Sequence, residues 1–333
     1  MAKIIRLLLG LLIFSLGSIG LYAETERNNT TTDKSEGIDL ARYLAAVDVD
    51  GLTDSVVDSV AQKGVGVSKS YLEKYFSTVE LSFTTGGIYT SNSAKPKFSI
   101  LVVKPLSDEE DIYNTYFTQL SASYYDNRTT LNGGLGYRKL SENKYILMGV
   151  NAFFDWEIPY NHARTSLGLE YRTTVGEMNA NIYKAITDWQ KGKNSFDEHA
   201  LDGFDIEAGM PLPYMNWATL FVKHSRWETE ISNVKDLNVN EVQLRAQIPT
   251  FPGLEIEAGR KFNSGATSLH ESYIAINYNL VAAFSNDSNK KNWISDYAYR
   301  LESMEDRRYE KVRRENSIVK QSKKSGSVTV TGY

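Results

Sequence analysis

The sequence predicts an all-β fold: a twelve-stranded antiparallel transmembrane β-barrel over residues 77–281, with an N-terminal helical segment before it and a polar helix after it. Three observations predict this. The chain opens on an export leader. The segments between residues 77 and 281 alternate apolar and polar side chains at strand length, and their connections sort alternately into short and long.

The leader comes first. Lys3 and Arg6 form a short basic region, and Leu7 to Ile19 is an apolar run broken only by glycine and serine. Leu21-Tyr22-Ala23 then offers a small residue for cleavage before acidic Glu24. That order reads as a secretory signal peptide over residues 1–23, because the run is short for a spanning helix. An uncleaved anchor is the alternative, and the polar stretch from Glu24 to Glu36 disfavours it. No other stretch is apolar for the ~20 residues that a transmembrane helix needs.

After cleavage, about 310 residues remain, enough for one large domain or two ordinary ones. The absence of cysteine excludes disulfides and thiolate metal sites. The formal charge of −4 counts two basic residues of the leader; without them it is about −6, which argues against a nucleic-acid partner. Tyr, with 21 copies against 13 of Phe, suits an interface where one end of the ring is apolar and the other wet.

The alternation is strict. In Thr129 to Lys139 one face carries Thr129, Leu131, Gly133, Leu135 and Tyr137; the other carries Thr130, Asn132, Gly134, Gly136 and Arg138. Ala163 to Arg172 sets Ala163, Thr165, Leu167, Leu169 and Tyr171 against Arg164, Ser166, Gly168, Glu170 and Arg172. Successive strand residues point to opposite faces, so each segment has a lipid side and a lumen side. By that register Leu167 faces lipid near the midplane, and Ser166 faces the lumen and should accept an arginine. Twelve segments follow this pattern, near 77–83, 97–105, 113–125, 129–139, 145–155, 163–173, 177–187, 203–210, 217–226, 239–249, 254–262 and 272–281. Several approach the ~9–11 residues that cross a bilayer at a tilt, and exceed the ~5–6 usual in soluble sandwiches. An even count returns both ends of the barrel to one side.

The connections give a second test. One alternate set, 106–112, 140–144, 173–176, 211–216 and 249–253, is short; the other contains the long 84–96, 188–202, 227–238 and 262–271. Short periplasmic turns and long external loops sort this way if the N-terminus is periplasmic, with 126–128 and 157–162 as short exceptions. Before the barrel, Ile38 to Val47 and the spacing of Leu52, Val56, Val57 and Val60 read as short helices within a periplasmic segment, 24–76. After it, Ser295 to Val319 is dense in Arg and Glu without alternation. It reads as a polar helix, with a solvated tail as the alternative.

Read together, the segments carry a resemblance. Asn132-x-Gly134-x-Gly136-x-Arg138, Gly149-x-Asn151-x-Phe153-x-Asp155 and Arg164-x3-Gly168-x-Glu170 resemble the inverse autotransporter β-domain, the barrel of intimins and invasins. Phe117-Thr118-Gln119, Asn181-x-Tyr183, Gly203-Phe204-Asp205 and Ile248-Pro249-x2-Pro252 resemble further family positions in the same order. Arg308-Tyr309-x2-Val312-x-Arg314-x-Asn316-x-Ile318-Val319 resembles the family's linker. The resemblance implies an outer-membrane translocator, with a linker over 282–319 whose helix threads the pore and a C-terminal passenger displayed outside. Residues 320–333 are then a short surface-exposed tail, too short for a domain, in which Ser327 to Thr331 resembles a passenger's opening strand. No host receptor is expected without a passenger domain. The implied partners are outer-membrane lipid, periplasmic chaperones and the barrel-assembly machinery, which would read the last strand from Ser272 to Leu280.

The lumen face and the linker supply the candidate functional residues: Asn132, Arg138, Asn151, Asp155, Arg164, Glu170, Asn181, Asp205, Arg308, Arg314 and Asn316. They either grip the linker by charge-assisted hydrogen bonds or form a self-satisfied network that keeps the lumen wet. Arg172, Glu255 and Glu257 face the same way. Gly134, Gly136, Gly149 and Gly168 would leave room for the linker, or relieve strand curvature. An outer-membrane enzyme is the rival class. Yet His162, His199, His224 and His270 show no metal-ligand spacing, no Gly-x-Ser-x-Gly elbow is present, and His162 reads as a surface residue. No catalytic residue, metal or cofactor is expected. A closed or small-conductance channel is the remaining alternative.

Overall fold

The computed structural model describes residues 75–86, 96–108, 110–284, 292–324 and 327–331. The leader and the helical readings over 38–60 lie outside the described residues. Strand β1 (Thr78–Gly86) is followed by β2 (Lys97–Pro105), β3 (Asn114–Tyr125), β4 (Arg128–Leu140), β5 (Leu147–Ile158), β6 (His162–Thr173) and β7 (Gly176–Ala185). Two short strands, β8 (Gln190–Lys191) and β9 (Asp197–Ala200), precede β10 (Asp202–Leu212), β11 (Met215–Glu228), β12 (Leu237–Gln247), β13 (Leu254–Gly265) and β14 (Glu271–Asn279). Helix α1 (Leu280–Phe284) follows directly, and β15 (Lys320–Lys324) and β16 (Ser327–Thr331) lie beyond the linker.

Strands β1 to β7 and β10 to β14 close into one antiparallel barrel, with β1 pairing to β14. Closure matters because lipid cannot hydrogen-bond an open strand edge. Each expected segment meets one barrel strand, with ends that differ by no more than three residues. The faces therefore hold. Leu135, Leu167, Leu169 and Ile182 stand outward and exposed, whereas Asn132, Arg138, Ser166 and Asn181 are buried in the lumen. Tyr116, Tyr171 and Tyr278 ring the end with short turns, and Trp156, Phe204 and Phe262 stand outward toward the loop end. These are the aromatic girdles of a membrane barrel. The short exception at 126–128 has a local cause: Asp126 (φ 50°) and Asn127 (φ 62°) take the left-handed pair of a two-residue hairpin.

Leu167 is 58% exposed at the middle of β6. Leu167→Arg is expected to cost about 2–4 kcal/mol, as arginine does at the bilayer midplane, and Met178→Arg near the turn end about 0–1 kcal/mol. Urea titration in micelles would check the order of the two. A reversed order would mean that Leu167 does not stand at the bilayer midplane. The expectation that Ser166 would accept arginine is corrected. Its register neighbours Phe153 and Tyr183 are both buried beside it, so a long cation there has no room.

The lumen glycines have a different cause from the one expected. A Cβ on Gly134 would lie 2.3 Å from the Phe153 ring, and one on Gly136 would lie 2.2 Å from the Phe117 ring. On Gly168 it would meet Asn181 and Asn151, and on Gly149 it would meet Glu170 and Arg138. The space is taken by neighbouring wall side chains rather than by the linker.

The linker itself corrects the predicted helix. From Ser295 to Val319 the chain forms no α-helix: a 3-10 turn at Glu305–Arg307 runs on into a turn in which Glu310 N meets the Arg307 carbonyl, and the rest carries only bends and irregular backbone. Beyond the turns, the nine residues from Lys311 to Val319 reach roughly 30 Å when extended, against about 14 Å as helix and ~30 Å of hydrocarbon to cross. An extended chain leaves its own N–H and C=O groups unpaired, so the barrel wall must supply partners.

The strand-like reading of Ser327 to Thr331 corresponds to β16, within a sheet that the sequence reading did not include: β15 pairs antiparallel with β9 and with β16, giving the order β16-β15-β9-β8. The long connection at 188–202 thus supplies a landing edge for the chain that emerges from the lumen.

Candidate functional site: the threaded lumen

The linker can be followed from the turn end to the loop end. At the base, Ser295 N donates to the Tyr214 carbonyl (2.8 Å) and Met304 N to the Lys144 carbonyl (2.8 Å), both in barrel turns. The Met304 side chain is fully buried against Leu140 and Leu147. Arg307 Nη2 then meets Glu177 at 2.9 Å, at the entrance to the lumen.

Inside, wall side chains bind the linker backbone in succession. Arg138 Nη1 donates to the carbonyls of Arg308 (2.8 Å) and Glu310 (2.7 Å). Arg172 Nη2 donates to that of Lys311 (3.1 Å), and Gln119 Oε1 accepts from Val312 N (2.8 Å). Asn181 Nδ2 donates to the Arg313 carbonyl (3.1 Å), and the Tyr183 hydroxyl accepts from Glu315 N (2.7 Å). Arg164 donates to the Glu315 carbonyl (2.8 Å) and Asn132 to the Asn316 carbonyl (2.9 Å). A helix would have needed none of these bonds.

Linker side chains add ion pairs and apolar contacts. Lys311 Nζ lies 2.6 Å from Glu80, Arg313 pairs with Glu207, and Arg314 grips Asp155 through both nitrogens at 2.6 and 2.9 Å. The Arg314 and Asp155 side chains have no exposed surface. Charged hydrogen bonds of this two-pronged kind are short and directional. Val312 enters an apolar pocket of Leu101, Val103, Phe117 and Phe153 halfway up an otherwise polar lumen. Val319 enters a second pocket, of Tyr183, Leu201, Trp227, Leu237 and Val239, at the loop end.

Of the candidate residues, Asn132, Arg138, Arg164 and Asn181 touch linker backbone, and Asp155 takes the Arg314 side chain. The Asn316 carbonyl accepts from Asn132, and its Oδ1 accepts from Arg314. Three act within the wall. Glu170 holds Arg138 (2.7 Å), Asn151 donates to Glu170 (3.4 Å), and Asp205 accepts from Tyr183 (2.6 Å) and Asn181 (2.8 Å). Arg308 departs from its assigned place: its guanidinium reaches the carbonyls of Glu305 and Asp111 at the base, and only its carbonyl meets Arg138. Gln119, Tyr183, Glu80, Glu207, Lys311 and Arg313 were not among the candidates. Alternation places Gln119 and Glu207 on the lumen face, but no sequence signal pairs a wall residue with a linker residue.

The mouth of the lumen closes on a clasp. Lys320 Nζ lies 2.6 Å from Glu157, and Arg128 bridges Glu157 (2.6 Å) and Glu198 (2.7 Å). His162 Nε2 lies 3.3 Å from Glu198. His162 is fully buried, which corrects its reading as a surface residue. Burial alone would raise the Glu198 carboxyl, but the hydrogen bonds from His162 and Arg128 outweigh it and hold the group at about 2. Glu157, His162 and Glu198 bring metal-ligating groups together, but the two carboxylates are already matched by Arg128 and Lys320.

Comparison with known proteins agrees with this geometry. The chain is 23% identical over 316 residues to intimin of Citrobacter freundii, and likewise 23% identical over 318 residues to intimin of Escherichia coli O127:H6. Each match covers 90% of this chain and 32% of the relative, so the chain spans about a third of their length. It is 30% identical over 103 residues to the inverse autotransporter adhesin YeeJ of Escherichia coli K12, which covers 30% of this chain and 4% of that protein. A solved chain from work on in-meso crystallization of membrane proteins has the same fold, with a TM-score of 0.58 at 21% identity, over 74% of this chain and 100% of that one. The family model "Inverse autotransporter, beta-domain" matches residues 40–316, the barrel together with its thread. The chain therefore belongs to the inverse autotransporter family and is an outer-membrane β-barrel.

Proposed function

We propose that this barrel anchors the chain in the outer membrane and delivers the segment after Val319 to the cell surface. The observation that carries this reading is the path of the linker. It enters among the short turns, which are periplasmic in membrane barrels, and emerges at the loop end, where β15 lands on β9. Among the described residues the linker runs through the lumen, and wall side chains bind its backbone. The part proposed for the barrel is anchoring and export, with no catalytic role; binding to other surfaces would belong to exported segments. During biogenesis the outward-facing end of β14, with Ile274, Ile276 and Tyr278, fits a signal for the barrel-assembly machinery, with periplasmic chaperones before it.

An epitope tag after Tyr333 is expected to bind antibody on intact cells and to be removed by external protease. A tag after Glu36 should stay hidden until cells are permeabilised. A C-terminal tag shielded in intact cells, with the barrel assembled, would reject export and leave a membrane barrel of another purpose.

A further inference from the structure

We propose that Val312, supported by Met304 and Val319, sets the register at which the threaded chain stops. The proposal rests on the threaded reading above and concerns what ends the movement. Wall contacts to the linker backbone are blind to sequence, since any residue offers the same N–H and C=O. Taken alone, they would hold the chain equally well after a slip. Something else must select one position.

The apolar pockets supply that selection. Val312 is 3% exposed between Leu101, Val103, Phe117 and Phe153, and its neighbours are Glu310, Lys311, Arg313 and Arg314. A slip of one or two residues in either direction therefore places a charge in the pocket, an arrangement that burial strongly penalises. Met304, at the base, is bracketed in the same way. Glu302, Glu305 or Asp306 would replace it in three of the four slips, and Ser303 in the other. Val319 is less selective, because Ile318 could follow it, whereas Ser317, Lys320 and Gln321 could not fill the pocket. The ion pairs agree on the same position. A two-residue slip sets Arg308 against Arg172, or brings Glu315 to Glu207, so like charges meet in the lumen.

The chain has no cysteine, so introduced pairs report cleanly. His199 opposes Gln321 in the β9–β15 ladder, while Lys323 opposes Asp197. Directly opposed residues lie within disulfide reach, and diagonal ones, at roughly 7–8 Å, do not. His199→Cys with Gln321→Cys thus reports the native register. His199→Cys with Lys323→Cys reports a linker shifted by two residues toward the periplasm. In the otherwise native chain the first pair should oxidise several-fold more than the second. Exchanging the key residues, Val312→Arg with Arg314→Val, keeps composition and charge while moving the apolar side chain by two. The yield of the shifted pair should then rise several-fold relative to the native pair.

An unchanged ratio in an assembled barrel, judged by its gel mobility with and without boiling, would overturn the proposal. Should the exchange block assembly, Val312→Thr provides the second measurement. It keeps the volume and weakens the apolar match, so the native cross-link should fall relative to the shifted one, and an unchanged ratio again overturns the proposal. Absence of the native cross-link before any change at Val312 would overturn the threaded reading, and the register with it.

Discussion

Deletion of residues 293–333 should raise the single-channel conductance of the barrel several-fold in planar bilayers. Between Arg307 and Val319 the lumen is occupied by chain that the wall holds on many sides, from Glu80 on β1 through Gln243 on β12. Val312 and Val319 meet apolar wall residues at two heights. Removal opens a polar tube and strips Glu80 and Glu207 of Lys311 and Arg313. The open pore should therefore favour cations. An unchanged conductance would mean that ions already pass beside the linker, and the alternative of a conducting channel would gain ground.

Asp155→Ala is expected to be the most damaging single truncation in the lumen, at about 3–5 kcal/mol, the usual cost of leaving a buried charge without its partner. Asp155 accepts from Arg164 at 2.8 and 2.9 Å, from Arg314 at 2.6 and 2.9 Å, and from Asn132 at 2.7 Å. Its loss leaves two guanidinium groups enclosed without that carboxylate, one on the wall and one on the linker. Urea unfolding in micelles, read by gel mobility, would measure the loss. Lys191→Ala provides the contrast. Its pair with Asp197 is 72% and 47% exposed, and exposed pairs contribute about 0–1 kcal/mol. Equal losses in the two variants would mean that the lumen is wetter than its packing indicates.

The barrel was legible because its evidence is local. Leu135 faces lipid while Asn132 and Arg138 face the lumen, and all three sit in β4, where alternation can be read directly. Most of the candidate site was legible for the same reason: an inward polar residue announces itself by its parity. The linker was misread because its composition, rich in Arg and Glu, is the same for a polar helix and for an extended chain with charged partners. Its conformation is chosen by the wall. Gln119 and Tyr183 accept its N–H groups, and Arg138 and Arg172 take its carbonyls, so the extended form loses little by giving up helical hydrogen bonds.

The sequence by itself determined the number of barrel strands, which side of each meets lipid, and the sorting of turns from loops, since all three follow from the two-residue period and its interruptions. Only the tertiary structure decided who pairs with whom across the lumen. Lys311 with Glu80 and Lys320 with Glu157 join residues more than 160 positions apart, and nothing local in either partner specifies the other. The same holds for the clasp at His162. It reads as a rim histidine in its strand, and becomes buried only because β9 and the emerging β15 close over it, bringing Glu198 and Lys320 into a space that neither strand encloses alone.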